Sequence, residues 1–172
     1  VIRIEENQGE AHAFYIGISF VKGEYILSND ADTTPEPDAH YKYMQYFTSP
    51  NGVNYAAITA NMDVYNRSTL WGKSQTVEFS SIVGIIKRSQ TAVNNTMYAY
   101  SGANTMYRRN FLINVGGFRQ DRATEDISIA WDHTFMNVVP KFAPDIVFHM
   151  NVPESFHDLY RQRTRWAQGG TE

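Results

Sequence analysis

GEYILSNDAD, residues 23–32, is the stretch on which the fold turns. Gly23 halts the preceding segment, Tyr25, Ile26 and Leu27 form a short apolar run, and the chain then leaves through Asn29, Asp30, Ala31 and Asp32. A brief apolar run bounded by turn residues reads as a buried strand of an α/β sheet. Upstream, Ala11, Phe14, Tyr15, Ile18 and Val21 recur at helical spacing. Before them VIRIE, residues 1–5, alternates apolar and charged side chains as a strand does. Strand, helix, strand predicts a parallel βαβ unit.

The same reading extends downstream. Pro35 and Pro37 precede a Tyr/Met-rich helical stretch, and Pro50-Asn51-Gly52 is a turn before VNYAAITA, residues 53–60, which has strand character. Residues 61–73 read as a polar connection. A long helical pattern from Ser74 to Val93 carries Val77, Ile82, Val83, Ile85 and Ile86. MYAYSGANTMYRRN, residues 97–110, alternates briefly, Gly116-Gly117 breaks the chain, and a helix opens at Thr124. KFAPDIVFHM, residues 141–150, holds short strands, and SFHDLYRQRTRWAQ, residues 155–168, forms a last helix. With no repeat, low-complexity tract or linker, residues 1–172 are expected to form one α/β domain.

Composition narrows the partners. A net charge of −3 over 172 residues gives no sequence-wide reason to seek a phosphate backbone, so nucleic-acid binding is not expected. Cysteine is absent, which excludes disulfides and thiolate metal sites. No run approaches the roughly 18 apolar residues of a membrane span. The sequence starts at Val1, in a strand already under way and without a secretory leader, as a piece of a longer protein would.

Three constellations carry possible chemistry, each beside a plainer structural explanation. Asp30 and Asp32 follow a strand end, where open α/β sheets bind ligands; two hard carboxylates there suit Mg²⁺ or Mn²⁺, while acids before a proline also mark a turn. Thr124-Glu125-Asp126 suits a helix start, with threonine as cap and acids complementing the dipole; Asp126 at a cleft edge could equally act as a general base. In the last helix Ser155 and Asp158 form a capping box, and Gln162, Arg165 and Trp166 share one face. That face can grip a diphosphate through arginine, or it can belong to an amphipathic helix whose Phe156, Leu159 and Trp166 face the core or a bilayer surface while Arg161 and Arg163 stay solvated.

The order of these pieces is more specific than any one of them. ENQGEAHA (6–13), GEYILSNDAD (23–32), SGANTMYRRNFLINVGGF (101–118), TED (124–126) and QRTRW (162–166) resemble the family-2 glycosyltransferases of GT-A fold. The Q-x-x-R-W element is similar to that of the processive membrane synthases of cellulose, chitin, hyaluronan and poly-N-acetylglucosamine. The resemblance implies a Rossmann-like, mixed but mostly parallel sheet flanked by helices. It implies that Asp30 and Asp32 hold Mg²⁺ or Mn²⁺ against a nucleotide diphosphate, with Asp32 as the direct ligand. Asp126, beside Glu125, would be the catalytic base; Gln162, Arg165 and Trp166 would close over the diphosphate; and Gly102, Ala103, Thr124 and Trp166 would line the acceptor site.

On this resemblance the protein is an inverting transferase that moves a sugar from a UDP-sugar, UDP-N-acetylglucosamine or UDP-glucose, to a growing polysaccharide. It would work at the cytoplasmic face of the cell membrane through flanking transmembrane helices, one set beginning after Gly170. Two departures stand out. Glu10 follows Gly9 where the family commonly has lysine, and the nucleotide-binding strands that open such domains do not precede Val1. A soluble piece lacking them is expected to bind donor weakly and to self-associate through open sheet edges. The alternatives are an inactive carbohydrate-binding domain of the same fold, using its eleven tyrosines, ten phenylalanines and three tryptophans as sugar platforms, and a phosphoryl-transfer enzyme, whose further aspartate and lysine are not found in context.

Overall fold

The structure, a computed structural model, describes residues 2–121 and 124–169. The first helix α1 (Glu10–Phe20) leads to two short strands, β1 (Tyr25–Ser28) and β2 (Thr33–Pro35), and to α2 (Ala39–Thr48). A 3-10 turn, Gly52–Asn54, feeds the long strand β3 (Tyr55–Val64). An unbroken helical stretch follows: α3 (Leu70–Phe79), a π-helical segment Ser80–Lys87, and α4 (Arg88–Asn94). Then come β4 (Thr105–Arg108), α5 (Arg109–Asn114), α6 (Glu125–Phe135), β5 (Val139–Met150) and α7 (Phe156–Gly169).

The five strands form one sheet in the order β1-β4-β3-β5-β2. It is mixed and flanked by helices, as expected, but it is not mostly parallel. Only β3 and β5 run parallel; β1–β4, β3–β4 and β2–β5 are antiparallel. Two of these pairings belong to β4, which inserts between β1 and β3 and runs against both, with Ser28 opposite Thr105 and Thr59 opposite the same Thr105; the third is the edge strand β2, whose Thr33 lies opposite Met150.

The expected leading strand is absent: residues 2–9 form no strand, and Val1 lies outside the described residues, as does Gly170. Alternation over five residues is only half of a strand, since the ladder must also find a partner. The parallel βαβ unit therefore does not form. β1 is present but lies at the sheet edge with Leu27 38% exposed, so it is a half-open strand and not a buried one. β2, at the other edge, tolerates Pro35 because its outer side needs no ladder donor.

β3 is the core of the molecule. Ala56, Ala57, Ile58, Thr59 and Ala60 are all 0% exposed, and the strand continues to Val64 through residues that read as a polar connection. Asn61 and Asp63 are partly exposed while Met62 and Val64 turn inward, an alternation too short and too polar to stand out in the sequence. Around β3 pack Tyr43 and Phe47 of α2, Leu112 of α5, Ile129 of α6 and Phe142, Ile146 and Phe148 of β5. β5 is one long strand where short ones were expected, with its register against β3 shifting between Ala143 and Val147. Pro144 sits in that interval and cannot donate to a ladder, so the residues around it loop out.

Candidate active site

The Asp30–Asp32 turn is fixed from several sides. The Thr33 amide donates to the Asp30 carbonyl at 3.1 Å, and the Asn29 side-chain amide donates to the Asp30 and Thr33 carbonyls at 2.9 and 3.1 Å. The Asn151 amide donates to the Asp32 carbonyl at 3.1 Å, tying the turn to the end of β5. With the backbone so held, both carboxylates point at one hollow. Burial pushes the Asp30 carboxyl up to about 6, Glu10 and Asp32 add to the rise, and Arg165 opposes it.

The loop of residues 101–104 is the floor. At the end of β1 the Ser28 hydroxyl donates to the Gly102 carbonyl, joining this loop to the acidic turn. The Thr105 hydroxyl donates to the Ser101 carbonyl at 2.7 Å, and the Tyr43 hydroxyl donates to the Asn104 carbonyl at 2.6 Å. Buried Asn104 donates its side-chain amide to the Ala60 carbonyl at 3.1 Å. A Cβ on Gly102 would stand 3.0 Å from Glu125 Oε1, so glycine is what lets the loop pass under that carboxyl.

The third wall is the start of α6. Thr124 makes no side-chain capping bond here, contrary to the expected cap, and the Asp126 carboxylate instead accepts from the Ile127 amide at 2.9 Å. Burial raises the proton affinity of Asp126, against the pull of Lys87 and of the Ile127 and Gly102 amides. Glu125 is 7% exposed, and burial followed by the charge of Asp126 pushes its carboxyl up to about 7. Two adjacent acids thus share one poorly hydrated corner, with one holding its proton near neutrality.

α7 closes the hollow. The Asp158 amide donates to Ser155 Oγ at 3.2 Å, the serine half of the capping box the sequence predicts, while Asp158 Oδ2 reaches back to accept from the Ser155 hydroxyl at 2.6 Å. Gln162, Arg165 and Trp166 all line the hollow. Arg165 approaches Glu10 at 3.7 Å, across from the acidic turn. Arg163 is not solvated as expected: it pairs with Glu78 at 2.7 Å and lies 4.2 Å from the centroid of the Trp166 ring. That arrangement straps α7 to α3 and sets the plane of Trp166, whose ring also meets Phe79 edge-on at 6.3 Å. Phe156 does not enter the core either; it stays 60% exposed, stacked beside Trp71.

The hollow so formed measures about 320 Å³. Asp30, Asp32, Glu125, Asp126 and Arg165 bring its charges together, and Gly102, Ala103, Thr124, Gln162 and Trp166 complete the set singled out from the sequence. Lys87 and Glu10 line the hollow too, and neither stands out in the sequence as a site residue: Lys87 opens a Lys-Arg pair that ends an apolar run, and the one signal at Glu10 is its departure from the family pattern. Among the described residues no group of three or more His, Asp or Glu is placed to hold a metal. Any cation would therefore rest on the two aspartates and draw its other ligands from substrate oxygens and water, a mode that hard divalent ions accept. The crowding of Glu10, Asp30 and Asp32 fits such an ion, because a positive charge there would relieve the repulsion that adds to the effect of burial on the Asp30 carboxyl.

A mixed α/β sheet with acids at one strand exit and a basic helix closing over them is the GT-A-like architecture. Two solved structures share the fold: a mannosyltransferase, PcManGT, from Pyrobaculum calidifontis in complex with GDP-Man and Mn²⁺, and GalNAc-T7 with UDP, GalNAc and Mn²⁺. The first has a TM-score of 0.71 at 21% identity, covering 96% of this chain and 42% of that one. The second has a TM-score of 0.63 at 13% identity, covering 88% of this chain and 32% of that one. Residues 25–171 match glycosyl transferase family group 2, and the chain belongs to that family. Its similar relatives include the poly-β-1,6-N-acetyl-D-glucosamine synthases of Staphylococcus aureus (strain COL) and Staphylococcus epidermidis (strain ATCC 35984), each 36% identical over 171 residues. The match covers 99% of this chain but 41% of those proteins.

Proposed function

We propose that the protein is an inverting glycosyltransferase that extends a polysaccharide, taking N-acetylglucosamine from its UDP derivative. The observation that carries this reading is the convergence of Asp32, Asp126 and Arg165, remote in sequence, on one hollow of about 320 Å³. The donor assignment rests on the names of the 36% identical relatives, with UDP-glucose the next choice.

In this reading the acceptor hydroxyl attacks the anomeric carbon from the face opposite the nucleotide. The new C–O bond forms as the bond to the diphosphate breaks; the diphosphate leaves with the electron pair and Asp126 takes the hydroxyl proton. A carboxylate whose proton affinity burial has raised is better matched to that task than an exposed one. Arg165 meets the charge that develops on the leaving group, and Gln162 and Trp166 hold the nucleotide and the acceptor sugar against the floor at Gly102 and Ala103. Thr124 sits at the acceptor edge, and Glu125, whose protonated form is favoured by burial and then by Asp126 beside it, supplies a hydrogen-bond donor when it carries its proton. Asp32 and Asp30 would hold Mg²⁺ or Mn²⁺, which when bound supplies electrostatic stabilisation of the leaving diphosphate.

No helix among the described residues is long and apolar enough to cross a membrane, so attachment to the cytoplasmic face of a membrane would come through other segments. The test is release of UDP from UDP-N-acetylglucosamine by the protein with Mg²⁺ or Mn²⁺. Asp126→Asn is expected to abolish release while leaving the circular dichroism spectrum unchanged. Wild-type turnover in that variant would remove the base, and no release from any common UDP-sugar by the wild type would favour a carbohydrate-binding role.

A further inference from the structure

The π-helical segment Ser80–Lys87 inverts the usual order of burial. Ile82, Ile85 and Ile86 are 44%, 65% and 48% exposed, while the residues it buries are Val83 and Lys87. Lys87 is 8% exposed and lies in the wall of the hollow that also holds Asp126. Turning isoleucines outward to bring an ammonium inward is costly, because a buried charge loses its hydration unless something replaces it. π-helical turns are rare and often mark functional positions, since the wider turn re-aims one side chain.

Two groups compensate the ammonium. Its Nζ donates to the Tyr100 carbonyl at 2.9 Å, just ahead of the Ser101–Asn104 loop. One of three donors is thereby used. The other compensation is the charge of Asp126, and the effect is mutual: burial lowers Lys87 to about 8 while Asp126 pulls it back up, and Lys87 in turn opposes the burial of Asp126. Among the described residues Lys87 makes no direct ion pair, so the attraction acts across the hollow wall rather than through a fixed bridge. A purely structural filler needs no charge; methionine has the same reach without the desolvation.

We propose that Lys87 is the positioning residue of the base, its ammonium keeping Asp126 ionised while its hydrogen bond to Tyr100 holds the Gly102 loop against that carboxylate. The proposal rests on the reading of Asp126 as base. Asp126 also faces Glu125 on its own helix, Tyr107 of β4, and the Gly102 and Ile127 amides, and Glu125 in turn feels Glu10 and Asp30. Of these side chains Lys87 carries the positive charge, so its removal leaves Asp126 among groups that favour the neutral acid. The base would then be protonated at higher pH.

Lys87→Met, Lys87→Arg and Asp126→Asn would be compared for UDP release between about pH 5 and pH 9. Lys87→Met is expected to move the acidic limb of kcat/KM upward by about one pH unit and to cut turnover at pH 6 by about tenfold, with Lys87→Arg restoring the limb. Adding Lys87→Met to Asp126→Asn should change nothing further. An unshifted limb and near-normal turnover in Lys87→Met, with Asp126→Asn inactive, would overturn the role of Lys87 alone; an active Asp126→Asn would overturn the base itself. A readout independent of turnover is the ¹³Cε titration of Lys87 by NMR, which also decides the matter should Lys87→Met fail to fold. Asp126→Asn is expected to lower the lysine midpoint, and an unchanged midpoint would contradict the coupling.

Discussion

Replacing Glu125 by glutamine tests the electrostatics of the site without touching its shape. The buried carboxyl is held at about 7, against an ordinary value of 4.5, by burial and then by Asp126. A carboxyl with a raised folded-state pKa binds its proton more tightly folded than unfolded. Its contribution is therefore most favourable below 4.5, is lost as pH rises through the interval up to about 7, and stays lost above that. Each tenfold difference in proton affinity is worth about 1.4 kcal/mol, so the full interval corresponds to about 3 kcal/mol. The site is a hollow that water can enter, which reduces the expected effect to between about 1 and 3 kcal/mol.

Glutamine mimics the protonated acid at every pH. Urea denaturation followed by circular dichroism at about pH 5 and pH 8 should therefore show Glu125→Gln nearly equal to wild type at the lower pH and more stable by that amount at the higher. A gain of the same size at both values, or none at either, would mean that Glu125 is not held protonated by its surroundings.

Two further predictions follow from neighbouring residues. Gly102→Ala puts a methyl 3.0 Å from Glu125 Oε1 and should cost about 1 to 3 kcal/mol of stability and raise the KM for acceptor, with Gly102→Val worse; an acceptor KM unchanged in both would move the acceptor away from this loop. Glu10→Gln removes a carboxylate 3.7 Å from Arg165 and frees that guanidinium for the donor. The KM for the UDP-sugar should fall by about two- to tenfold, as expected for one like charge beside a diphosphate in a partly hydrated site, and a rise would refute the competition.

What was legible in the sequence follows from how local each signal is. α1, α2, α6 and α7 announced themselves through periodicity, and α7 also through its Ser155 cap, because a helix satisfies most of its hydrogen bonds within its own segment. The strands were less faithful. VIRIE alternates, yet residues 2–5 form no strand, whereas residues 61–64 look polar and complete the central strand because β5 lies beside them. The direction of β4 was not legible at all, since antiparallel and parallel neighbours use the same residues; β4 runs against both β1 and β3, and β2 runs against β5, which leaves β3 and β5 as the parallel pair.

The site was more legible than the sheet. Charged and glycine residues at strand exits and helix starts come to one end of the sheet whatever the strand directions, and Asp30, Asp32, Asp126 and Arg165 line one hollow. Lys87 escaped because a lysine at the end of an apolar helical run reads as a solvated end, and only the π-helical phase turns it inward. Arg163 escaped for a related reason: its ion-pair partner Glu78 lies 85 residues away on α3, and only the folded helix pair brings the two together over the Trp166 ring one turn further along α7.

The central claim is that the acidic turn, the base and the basic helix serve one nucleotide and one sugar hydroxyl. It is tested most directly by a crystal structure of the protein with UDP and Mn²⁺. The account predicts diphosphate oxygens lying between the Asp30–Asp32 turn and Arg165, with Asp126 facing the space beyond the terminal phosphate. A diphosphate bound outside this hollow, or one that leaves Asp126 on the far side of the sheet from it, would contradict the account.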